Sequence, residues 1–137
     1  MSEIVKILER RISVIQDKIE DLKKIPSERI IQSRISPSGR GALYQLRKAF
    51  YATLGKKYDK DLSINEWKKV AGKLVKFIGD KGLQNIPTKI ILEYNIEESN
   101  GRKYIKFSRG WIIYFQVEDI EKLDLEGIEA LAVEEME

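Results

Sequence analysis

The chain has 137 residues, with 25 Lys/Arg, 22 Asp/Glu, no His and no Cys. Without those two residue types there is no Ser-His-Asp or Cys-His nucleophile, no zinc finger or iron–sulfur cluster and no disulfide. The charge is sorted: residues 1–110 carry 24 cations against 13 acids, and residues 111–137 carry one Lys against nine acids.

What chemistry remains is carboxylate-held Mg²⁺ or Ca²⁺, or Lys and Tyr chemistry. Asp59 and Asp61, and Glu93, Glu97 and Glu98, lie near one another, yet no spacing among them matches a metal-dependent nuclease. A non-enzymatic protein with no cofactor and no metal is therefore expected. The length suits one domain able to bury a core. The longest apolar run, Trp111 to Phe115, falls far short of the ~20 residues of a membrane span. The N-terminus MSEIVKILERR carries charges throughout and no small-residue cleavage site, so a cytoplasmic protein with no membrane partner is expected. Abundant Lys, Glu and Ile with no Cys matches thermophilic, archaeal-like usage.

Residues 1–25 carry the clearest periodicity. Val5, Leu8, Ile12, Ile15, Ile19 and Leu22 alternate steps of three and four, a heptad seam ending before Pro26. Val5, Ile12 and Ile19 take the a positions and Leu8, Ile15 and Leu22 the d positions. These six form the expected oligomerisation surface of a homodimer. In a parallel pair the flanking contacts are Ile4–Glu9, Arg11–Gln16 and Lys18–Lys23, none attractive. Parallel, antiparallel and intramolecular packing thus all stay open.

Residues 26–137 read as a single α+β domain. Residues 27–41 form a Ser/Pro/Gly-rich basic connector containing Arg34, Ser38 and Arg40. It leads into a helix from about 41 to 57, where Leu43, Leu46, Ala49, Phe50, Thr53 and Leu54 share the buried stripe. Tyr44, Arg47, Lys48 and Tyr51 lie away from that stripe, and Lys57 follows it. Ser63 and Glu66 read as a capping box opening a third helix to about residue 78. Trp67, Val70, Ala71, Leu74 and Ile78 should face inward, with Lys68, Lys69, Lys73 and Lys76 outward. Gly79 and Gly82 should stop it.

The period then changes to two. Residues 88–97 and 102–108 should pair across an Asn100-Gly101 type I′ turn, which sets Ile96 against Ile105 and Tyr94 against Phe107. Trp111 to Val117 is expected as a third strand of an antiparallel meander. The acidic tail, 118–137, carries apolar residues at helical spacing and is expected to end in a short helix.

Residues 26–60 carry eight cations and only Glu28 and Asp59. That imbalance points to a polyanionic partner. The expected function is weakly sequence-specific binding of nucleic acid, DNA or RNA, through phosphate neutralisation. The expected contacts are Arg34, Ser38, Arg40, Arg47, Lys48, Tyr51, Lys57, Lys68 and Lys69. On the sheet, Tyr104, Lys106 and Arg109 interleave an aromatic ring with cations near Trp111 and Tyr114. The alternative function is an assembly or adaptor subunit working through the heptad helix and the tail. That tail would cover the basic surface, dock as an acidic helix, or meet a basic protein partner.

Overall fold

The computed structural model describes residues 2–127 and 129. Its helices are α1 (Ser2–Lys23), α2 (Gly39–Leu54) and α3 (Lys60–Lys81). Its strands are β1 (Ile30–Gln32), β2 (Thr88–Ser99) and β3 (Arg102–Tyr114). The strands make one antiparallel sheet in the order β1-β2-β3, so the class is α+β. On one face of that sheet α2 packs against β1 and β2, and α3 against β3.

The β2–β3 hairpin follows from its turn and its apolar pattern. Asn100 and Gly101 take φ of 52° and 79°, the left-handed pair that a type I′ turn needs. Ser99 faces Arg102, Ile96 faces Ile105 and Tyr94 faces Phe107, the register the turn length dictates. Beyond Tyr94 the register shifts, because Glu93 pairs with Arg109 and Ser108 is the extra residue of a β-bulge. The strand expected to begin at Trp111 is therefore the far half of β3, carried through that bulge. Phe115 to Val117 lie outside it.

The third strand comes instead from the connector. Ile31 pairs with Leu92 and is buried, while Ser33 carries the pairing one step beyond β1. Ser33 N donates to Ile90 O, and Ile90 N donates to Ser33 Oγ, each at 2.9 Å. A strand this short has too few residues to show a period.

Both later helices start earlier than expected. Ser38 caps α2, its hydroxyl accepting from Gly41 N at 2.9 Å. Asp59 caps α3 by accepting from Leu62 N, so Ser63 and Glu66 are not its cap. Ser63 is instead fully buried and accepts the Ile105 amide at 3.0 Å. Gly82 ends α3 in the left-handed conformation, whereas Gly79 lies inside the helix.

Phe50 stands at the centre of the core. It stacks on Trp67 with centroids 5.1 Å apart and lies 5.8 Å from Phe107. Leu46, Ile90 and Ile105 close around it with no exposed surface. No residue of α1 is buried, and the six seam side chains are 44–55 % exposed. An intramolecular core stripe is thus not what α1 forms among the described residues. Described residues 118–127 are not helical, and the rest of the expected C-terminal helix, apart from residue 129, lies outside the described residues.

Replacing Ser63 by Ala strands the Ile105 amide at a buried site, which costs about 1–3 kcal/mol. Urea denaturation of S63A should show that loss; an unchanged midpoint would mean that the hydroxyl contributes nothing.

Candidate nucleic-acid interface

In α2 the helical period separates a buried arc from a charged arc. Ala42, Leu46, Phe50 and Leu54 face the core. Arg40, Tyr44, Arg47, Lys48 and Tyr51 lie together on the exposed side, each three or four residues from another of the group. Tyr44 is 57 % and Tyr51 38 % exposed, enough ring surface for a partner to cover. Lys48 Nζ sits 4.6 Å from the Tyr44 ring centroid and Arg47 Cζ 5.7 Å from that of Tyr51. Such cation–π contacts hold the rings while leaving the charged heads in water. Lys60 and Ile64, at the start of α3, extend the same shallow depression.

No Asp or Glu occurs between residues 29 and 58. Ion pairs among the described residues lie elsewhere: Arg11–Glu118, Lys23–Glu20, Lys69–Glu66, Arg102–Asp59 and Arg109–Glu93. The first described acid of the tail, Glu118, reaches α1 at 2.7 Å. Among the described residues no acid forms an ion pair with the cations of α2.

The connector is less available than its composition suggests. At the start of α2, Gly39 N donates to Leu83 O and Gly41 N to Ser38 Oγ. Ala42 N donates to Ser38 O, and the Arg34 amide donates to Gln45 Oε1. These amides are occupied by the protein itself, so the loop is not an open phosphate cradle. Arg34 and Arg40 contribute exposed side chains, and Ser38 contributes its cap.

The predicted residues are thus divided between surfaces. Arg40, Arg47, Lys48 and Tyr51 come together on α2. Lys57 lies in the turn after it, while Lys68 and Lys69 are exposed on α3. Tyr104, Lys106 and Arg109 alternate onto the sheet face away from α2 and α3, together with Trp111. Tyr44 and Lys60 were missing from the predicted contacts. The step of four from Arg40 to Tyr44 was the signal for the first; Lys60 had none, because its helix was expected to start later.

Arg109 is the most constrained cation. Its Nε and Nη2 donate to the two Glu93 carboxylate oxygens at 2.7 and 3.0 Å, and Ser108 Oγ donates to Oε1 at 3.0 Å. This fork staples the bulge to β2 and sets the guanidinium 5.3 Å from the Trp111 ring centroid. The Arg109 hydrogen bond holds the Glu93 carboxyl below its ordinary value, and the same bond raises the Arg109 guanidinium. Among the described residues no three acidic side chains converge to hold a metal ion.

A carboxyl with a depressed pKa keeps its contribution above its unfolded value and loses it as pH falls through the folded value. The Trp111 environment, followed by near-UV circular dichroism, should therefore persist through the ordinary carboxylate range near pH ~4 and change only below it. A change centred in that ordinary range would show that the fork is not formed. No family model, curated protein or solved structure matches this chain, and its reading rests on its own side chains.

Proposed function

We propose that this protein binds nucleic acid through the outer face of α2, by neutralising phosphates rather than by catalysis. One observation carries the reading: Arg40, Arg47 and Lys48 line one helix face beside two exposed tyrosines, with no acidic residue from 29 to 58 to pair with them. Each cation that meets a phosphate releases condensed counterions, which makes binding tight at low salt and weak at high salt. Tyr44 and Tyr51 add stacking or sugar contacts that tolerate any sequence. Arg40, Arg47 and Lys48 act as point contacts to the backbone and discriminate little between bases.

The test is a salt series with fluorescently labelled oligonucleotides, single-stranded and duplex. Replacing Arg47 and Lys48 together by Ala should weaken binding across all sequences. It should also flatten the log–log salt slope by about 1.4–1.8, two contacts at ~0.7–0.9 each. An unchanged slope would remove α2 from the interface.

A second reading concerns assembly. A 22-residue helix with no buried residue is marginal alone in water, and a row of half-exposed apolar side chains favours a covering partner. Pairing of α1 with a second copy gives a homodimer. Sedimentation equilibrium should then return about twice the 15.9 kDa chain mass, and Ile12→Glu should return it to one. A wild-type mass of one chain at micromolar concentration would reject the dimer.

A further inference from the structure

Strand β3 lies at the edge of the sheet, and its two halves are closed differently. Near the hairpin, Asp59 N donates to Lys103 O at 2.7 Å and Ser63 Oγ takes the Ile105 amide, so the start of α3 seals the edge. Strand alternation, carried through the bulge at Ser108, turns the amides of Phe107, Gly110 and Ile112 outward on the same side. No protein acceptor meets these three among the described residues. Here α3 stands off and leaves a groove of about 530 Å³.

The walls of this groove are apolar and its rim is cationic. Val70, Leu74 and Phe77 line the helix side, Phe107 and Ile112 the strand side, and Lys73 the rim. Arg109, whose charge is already paired with Glu93, also borders it, and no acidic residue lines it. Gly110 packs closely on Leu92, since a Cβ there would lie 2.8 Å from Leu92 Cδ2. Phe77 keeps 36 % of its surface exposed. At 100° per residue, Lys76, Lys69 and Lys73 step round the outside of α3 toward the groove.

We propose that this groove receives the unpaired bases of a single nucleic-acid strand. The inference rests on the nucleic-acid reading above and names its substrate class. Apolar walls bordered by Phe77 and Phe107 suit base faces, which stack on any aromatic ring. Three outward amides offer donors to base edges without demanding a sequence. Lys73 and its neighbours on α3 meet the phosphates that remain outside. The volume matches a site for one or two planar groups and excludes a duplex, whose bases are already paired and stacked. An added peptide strand fits less well, because the bulge breaks the even two-residue spacing that strand pairing requires.

The full chain should be titrated with a 15-mer of deoxythymidine and with a mixed-sequence 15-base-pair duplex, following fluorescence anisotropy and tryptophan emission. The single strand should quench emission and bind at least about tenfold tighter than the duplex. Phe77→Ala and Lys73→Glu should each lower single-strand affinity about tenfold and leave duplex affinity nearly unchanged. As a check independent of these variants, the Gly110 amide resonance of the unaltered protein should move on adding the single strand. Equal affinity for both probes, with emission and the Gly110 resonance unmoved, would overturn the groove assignment and leave the α2 reading standing. Failure of both probes to bind at ~50 mM salt would overturn the two together.

Discussion

Phe50 reaches from α2 to stack on Trp67 of α3 and to touch Phe107 of β3, so one side chain fixes the rotation of α2 about its own axis. That rotation decides what the protein shows to solvent. With Ala42, Leu46, Phe50 and Leu54 turned inward, the 3.6-residue period leaves Arg40, Tyr44, Arg47, Lys48 and Tyr51 outward. Turning α2 by a third of a revolution would bury cations against Ile90 and expose the Phe50 ring. The aromatic stack and the charged face are two consequences of one packing decision.

The sheet imposes a second constraint. Three strands offer one face to the helices, and β3 has an edge with no further strand among the described residues. The protein itself deals with part of that edge: the Ser63 hydroxyl takes one amide, the Asp59 backbone amide meets one carbonyl, and the Glu93–Arg109 fork holds the strand at the bulge. Bulges and charged side chains are common defences of exposed edges. Among the described residues the stretch around Gly110 has no such cover, and Lys73 and Phe77 border it.

Much of this was legible in the chain because strong local signals agreed with tertiary packing. The Asn100-Gly101 turn and the alternation of Leu92, Tyr94, Ile96, Ile105 and Phe107 each specify the same register. Leu46, Phe50 and Leu54 of α2 and Trp67, Leu74 and Ile78 of α3 followed from helical spacing alone, whereas the buried Ala42 did not. Other elements were hidden for identifiable reasons. β1 is too short to display a period, and Ser33 completes its pairing with a side chain. Ser63 resembles a cap by sequence, but its hydroxyl is drawn to the β3 edge while Asp59 caps the helix four residues earlier. The bulge at Ser108 made one long strand read as two. The basic character of 27–41 was visible, whereas the occupation of its amides by Leu83 O and Ser38 was not, since those partners depend on the folded chain.

The most direct examination of the central claim is a map of amide resonances in isotopically labelled protein as an oligonucleotide is added at low salt. The account predicts that the largest shifts fall on Arg40, Tyr44, Arg47, Lys48 and Tyr51, and that they fade as salt is raised. Shifts confined to α1 and the acidic tail, with α2 unmoved at saturation, would contradict it.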